Sequence, residues 1–131
     1  MDQDTVAVKA FLASMIPVKE AIHTLARDLR NRPGVQQVTG YFPELYPWSD
    51  FGVSAELHNG AIVDFWISLW DESGCWQIDY SVLRGDPDED GSHKELEFPI
   101  RSVLLAMDLS PTLLVVIVEL REAIANDVFF R

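Results

Sequence analysis

The sequence predicts an α+β domain. It should hold a three- to four-stranded antiparallel meander sheet, with a kinked N-terminal helix and one or two C-terminal helices packed on one face. Three observations predict it. A helical apolar stripe runs from Val8 to Leu29, period-two alternation takes over between Phe51 and Leu83, and a second apolar helical stretch follows Ser110. At 131 residues the chain suits a single domain spanning residues 1–131.

The first stripe is Val8, Phe11, Leu12, Met15, Val18, Ile22, Leu25 and Leu29, with Asp4 or Thr5 as cap and Arg32-Pro33-Gly34 as stop. Pro17 removes one backbone donor inside it. Because the stripe keeps phase across the proline, a kink is expected there.

Strand runs follow at Phe51–Leu57, Ala61–Leu69 and Cys75–Leu83. With His58-Asn59-Gly60 as a three-residue loop, Leu57 faces Ala61, Ala55 faces Val63, Val53 faces Phe65 and Phe51 faces Ile67. A two-residue Asn59-Gly60 turn would set Ser54 against Phe65, so face chemistry selects the first register. With Asp71–Gly74 as a four-residue loop, Leu69 faces Trp76, Ile67 faces Ile78, Phe65 faces Tyr80 and Val63 faces Val82. The result is one apolar face for the helices to cover. The His58–Gly60 tip and the Asp86–Ser92 loop then lie at the same end of the sheet.

Val35–Phe42 adds a fourth strand, and Pro43–Asp50, with Tyr46 and Trp48, reads as an irregular aromatic loop. Glu95–Ile100 alternates as a short edge strand, and Ser102–Leu109 reads as a short helix. Ser110-Pro111, as cap and first helical residue, starts a last helix to about Asn126, with Leu113, Ile117, Leu120 and Ile124 as its core stripe.

Composition narrows function by exclusion. A net charge of −11 and a pI near 4.4 repel nucleic acid and anionic membrane. The same charge serves solubility, or steers the chain toward a basic partner. The lone Cys75 forms no internal disulfide, Met1-Asp2-Gln3-Asp4 lacks signal-peptide character, and the apolar run Leu113–Val118 is too short to span a bilayer. A cytoplasmic protein is expected.

The second face of the sheet carries the main candidate site. Trp66, Trp70, Asp64, Asp79, Gln77 and Glu56 share it, and aromatic anchors inside a polar rim are what protein interfaces use. Trp66 equally suits a role covering Gly52 opposite it, and the loop or the tail Val128–Phe130 could fold over this face. A homodimer, through this face or the Leu113–Val118 run, is also compatible with the sequence.

A second candidate is Asp86-x-Asp88-x-Asp90-Gly91 with Glu97 at the twelfth position, the oxygen-ligand spacing of a Ca²⁺ loop. A strand rather than a helix leads in through Gly85 and Pro87 occupies the second position, so a solvated acidic turn is the competing reading. Thirdly, Asp64 and Asp79 on neighbouring strands, offset by one pair at roughly 7–8 Å, have a spacing that suits a small inverting hydrolase. Cys75 and His58 fall at opposite ends of the sheet, roughly 30 Å apart, so they form no dyad. No phosphate loop, zinc spacing or nucleophile elbow occurs, and a non-enzymatic protein is expected.

The order helix, antiparallel sheet, helices, together with Val63-Asp64-Phe65-Trp66-Ile67-Ser68-Leu69 and Cys75-Trp76-Gln77-Ile78, resembles the small acidic immunity proteins of bacterial polymorphic toxin systems. That resemblance implies a basic toxin as partner, held by an acidic aromatic surface.

Overall fold

The meander expected between Phe51 and Leu83 forms the centre of the sheet. The structure is a computed structural model that describes residues 9–10, 12–41, 50–87 and 93–131. Strands β1 (Val35–Tyr41), β2 (Phe51–Leu57), β3 (Ile62–Glu72), β4 (Cys75–Gly85) and β5 (His93–Glu97) lie side by side in that order, and β6 (Arg101–Val103) pairs with β4 beyond the end of β5. All pairings are antiparallel. Helices α1 (Ile16–Arg30) and α2 (Leu109–Ala123) contribute to a single apolar core with the sheet. The class is α+β as predicted, but with six strands among the described residues rather than three or four.

The β2–β3 register matches expectation: Phe51 faces Ile67, Val53 faces Phe65 and Ala55 faces Val63, while the Leu57 amide donates to the Ala61 carbonyl at 2.8 Å. Gly60 takes φ +88° at the turn, and a Cβ built there would stand 3.4 Å from the Pro87 side chain, so this tip and the start of the acidic loop share one end of the sheet.

The β3–β4 register corrects the sequence reading. Leu69 faces Ile78, Ile67 faces Tyr80 and Phe65 faces Val82, two residues from the expected pairs. The turn is Ser73-Gly74 alone, with φ of 55° and 80°. Two left-handed residues match the right-handed twist of a tight hairpin, which a four-residue polar loop need not do. Asp71 and Glu72 are strand residues whose exposure reflects lack of cover, not a turn.

Three further corrections concern the helices. Residues 9–10 and 12–14 are helical, but Met15 is a turn and α1 begins afresh at Ile16, with Pro17 in its first turn. There the missing amide costs nothing, so an interruption replaces the expected kink. Asp4, Thr5 and Phe11 lie outside the described residues. The segment expected as helix from Ser102 instead closes β6 and then makes a 3₁₀ turn at Ala106–Asp108. Ser110 is not the cap of α2, because the helix starts at Leu109 after Asp108, and the Ser110 hydroxyl donates 2.6 Å to the Ser14 carbonyl.

Polar ties lock the layers. Arg101 donates to the Tyr80 hydroxyl at 2.9 Å and to Glu119 at 2.6 Å, and Tyr80 also donates to Glu119, joining β6, β4 and α2. Phe98 stacks on the Tyr80 ring with centroids 4.7 Å apart. The C-terminal turn Asp127–Phe129 is clamped by three cations. Arg32 pairs with Asp127 at 2.7 Å and lies 4.3 Å over the Phe130 ring, the Arg84 guanidinium donates 3.0 Å to the Phe129 carbonyl, and Lys94 donates 3.2 Å to the Val128 carbonyl. Phe129 is buried in the core, so the tail docks on the helix side and does not fold over the second face.

Arg84 is itself buried, and it grips Asp86 with donors 2.9–3.3 Å from its carboxylate. That bond holds the Asp86 carboxyl below its ordinary value of 3.8. A depressed carboxyl contributes stability above the unfolded value and loses it as pH falls through the folded one. Wild type should therefore melt higher than Asp86→Asn near pH 6, and the gap should narrow steadily in thermal scans as pH falls below 3.8. A gap that does not narrow with acid would show that the carboxylate is not the stabilising species.

Candidate functional site

Period two places alternate residues of each strand on the face that neither helix covers. The paired registers set Tyr41, Gly52, Trp66, Ser81 and Glu97 in one row across five strands. The next row is Thr39, Ser54, Asp64, Leu83 and Glu95. In the other direction Ser68 faces Asp79, Trp70 faces Gln77, and Glu72 faces Cys75. The expected members Trp66, Trp70, Asp64, Asp79, Gln77 and Glu56 are thus on one face, Glu56 exposed and the others half-buried.

Gly52 fixes the middle of this face. Its φ is +156°, and a Cβ there would stand 1.9 Å from the Phe65 carbonyl oxygen. Only glycine lets β2 approach β3 at this row. Beside it, Asp64, Trp66, Ser81, Leu83 and Glu95 line a shallow depression of about 340 Å³. The Ser54 hydroxyl donates to Asp64, the Trp70 indole N–H points to Glu72 at 3.4 Å, and Ser102 donates to Gln77 at 2.8 Å. The Tyr41 phenol is pushed up to about 12, first by burial and then by the Asp64 and Asp50 carboxylates.

Glu95 and Glu97 join this face although sequence reasoning did not place them on it. The signal was present: Leu96 alternates with them, so an apolar Leu96 turned to the core puts both glutamates outside. Among the described residues, the face carries Glu56, Asp64, Glu72, Asp79, Glu95 and Glu97 but no lysine or arginine. The cations of these strands, Arg84, Lys94 and Arg101, all bond on the helix side.

The other candidates are not assembled. Asp64 faces Leu83 and Asp79 faces Ser68, four residues apart along β3, or roughly 13 Å. That corrects the one-pair offset and exceeds the roughly 6.5–9.5 Å span of an inverting carboxylate pair. In the acidic loop, Asp86 is engaged by Arg84, while Glu97 faces Ser81, five positions back along β4 from Asp86 and on the order of 16 Å away. The described members therefore do not fit one Ca²⁺ shell, and Asp88 and Asp90 lie outside the described residues. No cluster of three metal-ligating side chains occurs among the described residues. Cys75 faces Glu72 at the end of the sheet opposite His58. The Pro43–Asp50 loop lies outside the described residues up to position 49.

Among the described residues, fold and surface together define an α+β domain with one sheet face under helices and one that neither helix covers, acidic and aromatic. No family model, curated protein or solved structure matches the chain. Among the described residues no helix is long and apolar enough to cross a membrane.

Proposed function

We propose that this chain is a non-enzymatic, cytoplasmic protein-binding domain of the immunity-protein type, whose open sheet face docks on a basic protein such as a toxin. The observation that carries this reading is the segregation of charge: carboxylates and tryptophans on the open face, every cation of the same strands on the other. A single-sign surface steers a cationic partner and repels wrong ones. The two half-buried indoles supply flat, rigid area and a quadrupole that attracts arginine or lysine. Docked carboxylates then pair with cations in partly desolvated surroundings, where such pairs strengthen.

Trp66→Ala separates an anchor from a core residue. Binding should fall at least about a hundredfold, the loss expected of a central aromatic hot spot, while stability stays within roughly 1 kcal/mol. Calorimetry with the captured partner and a melting curve read the two effects. A large fall in melting temperature would make Trp66 a structural ring and remove it from the interface.

A further inference from the structure

The helix-covered side carries a groove of opposite charge, at the edge of the sheet. β1 has a strand neighbour on one side only among the described residues. Edge strands are commonly guarded by charge or proline. The far edge, β5, holds Lys94, Glu95 and Glu97. β1, Val-Gln-Gln-Val-Thr-Gly-Tyr, holds no charge and no proline. A bulge disturbs its start between Val35 and Gln37, but from Val38 to Tyr41 its pairing is regular. Among the described residues no strand pairs with the outer side of that stretch, which leaves a row of backbone donors and acceptors.

α1 turns a cationic flank toward this edge. Lys19, His23 and Arg30 recur at helical spacing, and with Ile22, Ala26, Gly40 and Tyr41 they line a groove of about 330 Å³. Ile22 and Ala26 are buried and form an apolar floor. On the opposite flank Asp28 pairs with Arg121 of α2 at 2.8 Å, which fixes the orientation of the helix. Arg32, Arg84, Arg101 and Arg121 each pair with a carboxylate, whereas Lys19 and Arg30 form no ion pair among the described residues. In a chain of net charge −11, these exposed cations, grouped in one groove and paired with no carboxylate among the described residues, suit an anionic ligand.

Gly40 points the same way. Its φ is not positive, and a Cβ there would meet nothing within 4 Å, so neither backbone nor packing demands glycine. A glycine inside a strand weakens it, and commonly marks where another backbone or a ligand comes close. Here it keeps the groove wall open beside the free edge. The cationic stripe from Lys19 to Arg30 runs on the order of 16 Å along α1. Five residues of extended chain cover that length.

We infer that this groove takes an extended acidic peptide segment of a partner protein. The segment pairs with Val38–Tyr41 as an added strand and sets carboxylate side chains against Lys19, His23 and Arg30. Backbone pairing supplies affinity, and the cationic flank selects acidic sequences. Apart from Tyr41 at the shared edge, the site lies off the open face, and it does not rest on the reading given to that face.

The test titrates the isotope-labelled full chain with an acetylated, amidated Glu-Val-Glu-Val-Glu-Val peptide, its Lys-Val counterpart, and inorganic phosphate, followed by amide NMR. The Glu-Val peptide should shift the amides of β1 and of residues 19–30 and slow exchange of the outward β1 amides; the Lys-Val peptide should do neither. Lys19→Glu/Arg30→Glu should weaken binding at least about tenfold. Gly40→Val should block it with the melting temperature unchanged. No shift at millimolar Glu-Val peptide, or binding that survives Gly40→Val, would overturn the inference. So would phosphate moving the same amides, which would reduce the groove to an anion site, or a concentration-dependent dimer occupying the β1 edge.

Discussion

Replacing Gly52 by alanine should cost about 4 kcal/mol, from overpacking and backbone strain together. A methyl at this position would sit 1.9 Å from the Phe65 carbonyl oxygen and 3.3 Å from the Trp66 Cα. Both contacts are backbone of the adjacent central strand, so no rotamer change relieves them. Either β2 retreats from β3, breaking a ladder flanked by the fully buried pairs Phe51–Ile67 and Val53–Phe65, or the chain abandons φ +156°. Against a typical margin of roughly 5–15 kcal/mol, the melting temperature should fall by about 12 °C or more. Gly40→Ala is the internal control, since its Cβ meets nothing within 4 Å; it should stay within about 0.5 kcal/mol. A mild Gly52→Ala would mean that the two strands do not approach as described.

The second large effect concerns recognition. Reversing Glu56 and Asp79 to lysine should abolish partner binding, by about a thousandfold or more, because each change replaces an attraction with a repulsion across one interface. Glu56 is exposed and Asp79 half-buried, and neither side chain supports the core. Glu20→Lys/Glu122→Lys produces the same change in net charge on exposed helix positions. If binding depends on the face rather than on total charge, that control should bind nearly as well as wild type.

The sequence was most informative where two physical tests agreed. For β2–β3, an apolar face and a left-handed glycine both selected one register, and a slip of one residue would have exposed the core. For β3–β4, a slip of two residues keeps every side chain on its face, so apolar matching could not separate the alternatives. Only the turn could, and Ser73-Gly74 is a weaker signal than Asn-Gly. Face membership of Trp66, Asp64, Trp70, Gln77, Asp79 and Glu56 depends on parity alone and survived the slip. Distances across the face did not, which is why the Asp64–Asp79 pair dissolved.

Elsewhere, tertiary contacts overrode local signals. Ser110 before Pro111 has the chemistry of a cap, yet its hydroxyl bonds to Ser14. Ser102 and Val103 join β6 because β4 extends far enough to pair with them. Arg84 falls on the core side of its strand, where alternation predicts an apolar residue, and only the arrival of Asp86 and the Phe129 carbonyl makes its burial tolerable. The groove beside β1 was not read from the sequence at all. Lys19, His23 and Arg30 look like a solvated helix flank until the edge strand and Gly40 are set against them.

The measurement that most directly tests the central claim is a pull-down from native-host lysate read by mass spectrometry, with wild type, Glu56→Lys/Asp79→Lys and Glu20→Lys/Glu122→Lys as parallel baits. The account predicts one basic protein retained by wild type and by the helix-charge control and lost by the face-reversed bait. Recovery of the same partner by all three baits, or of none by wild type, would contradict it.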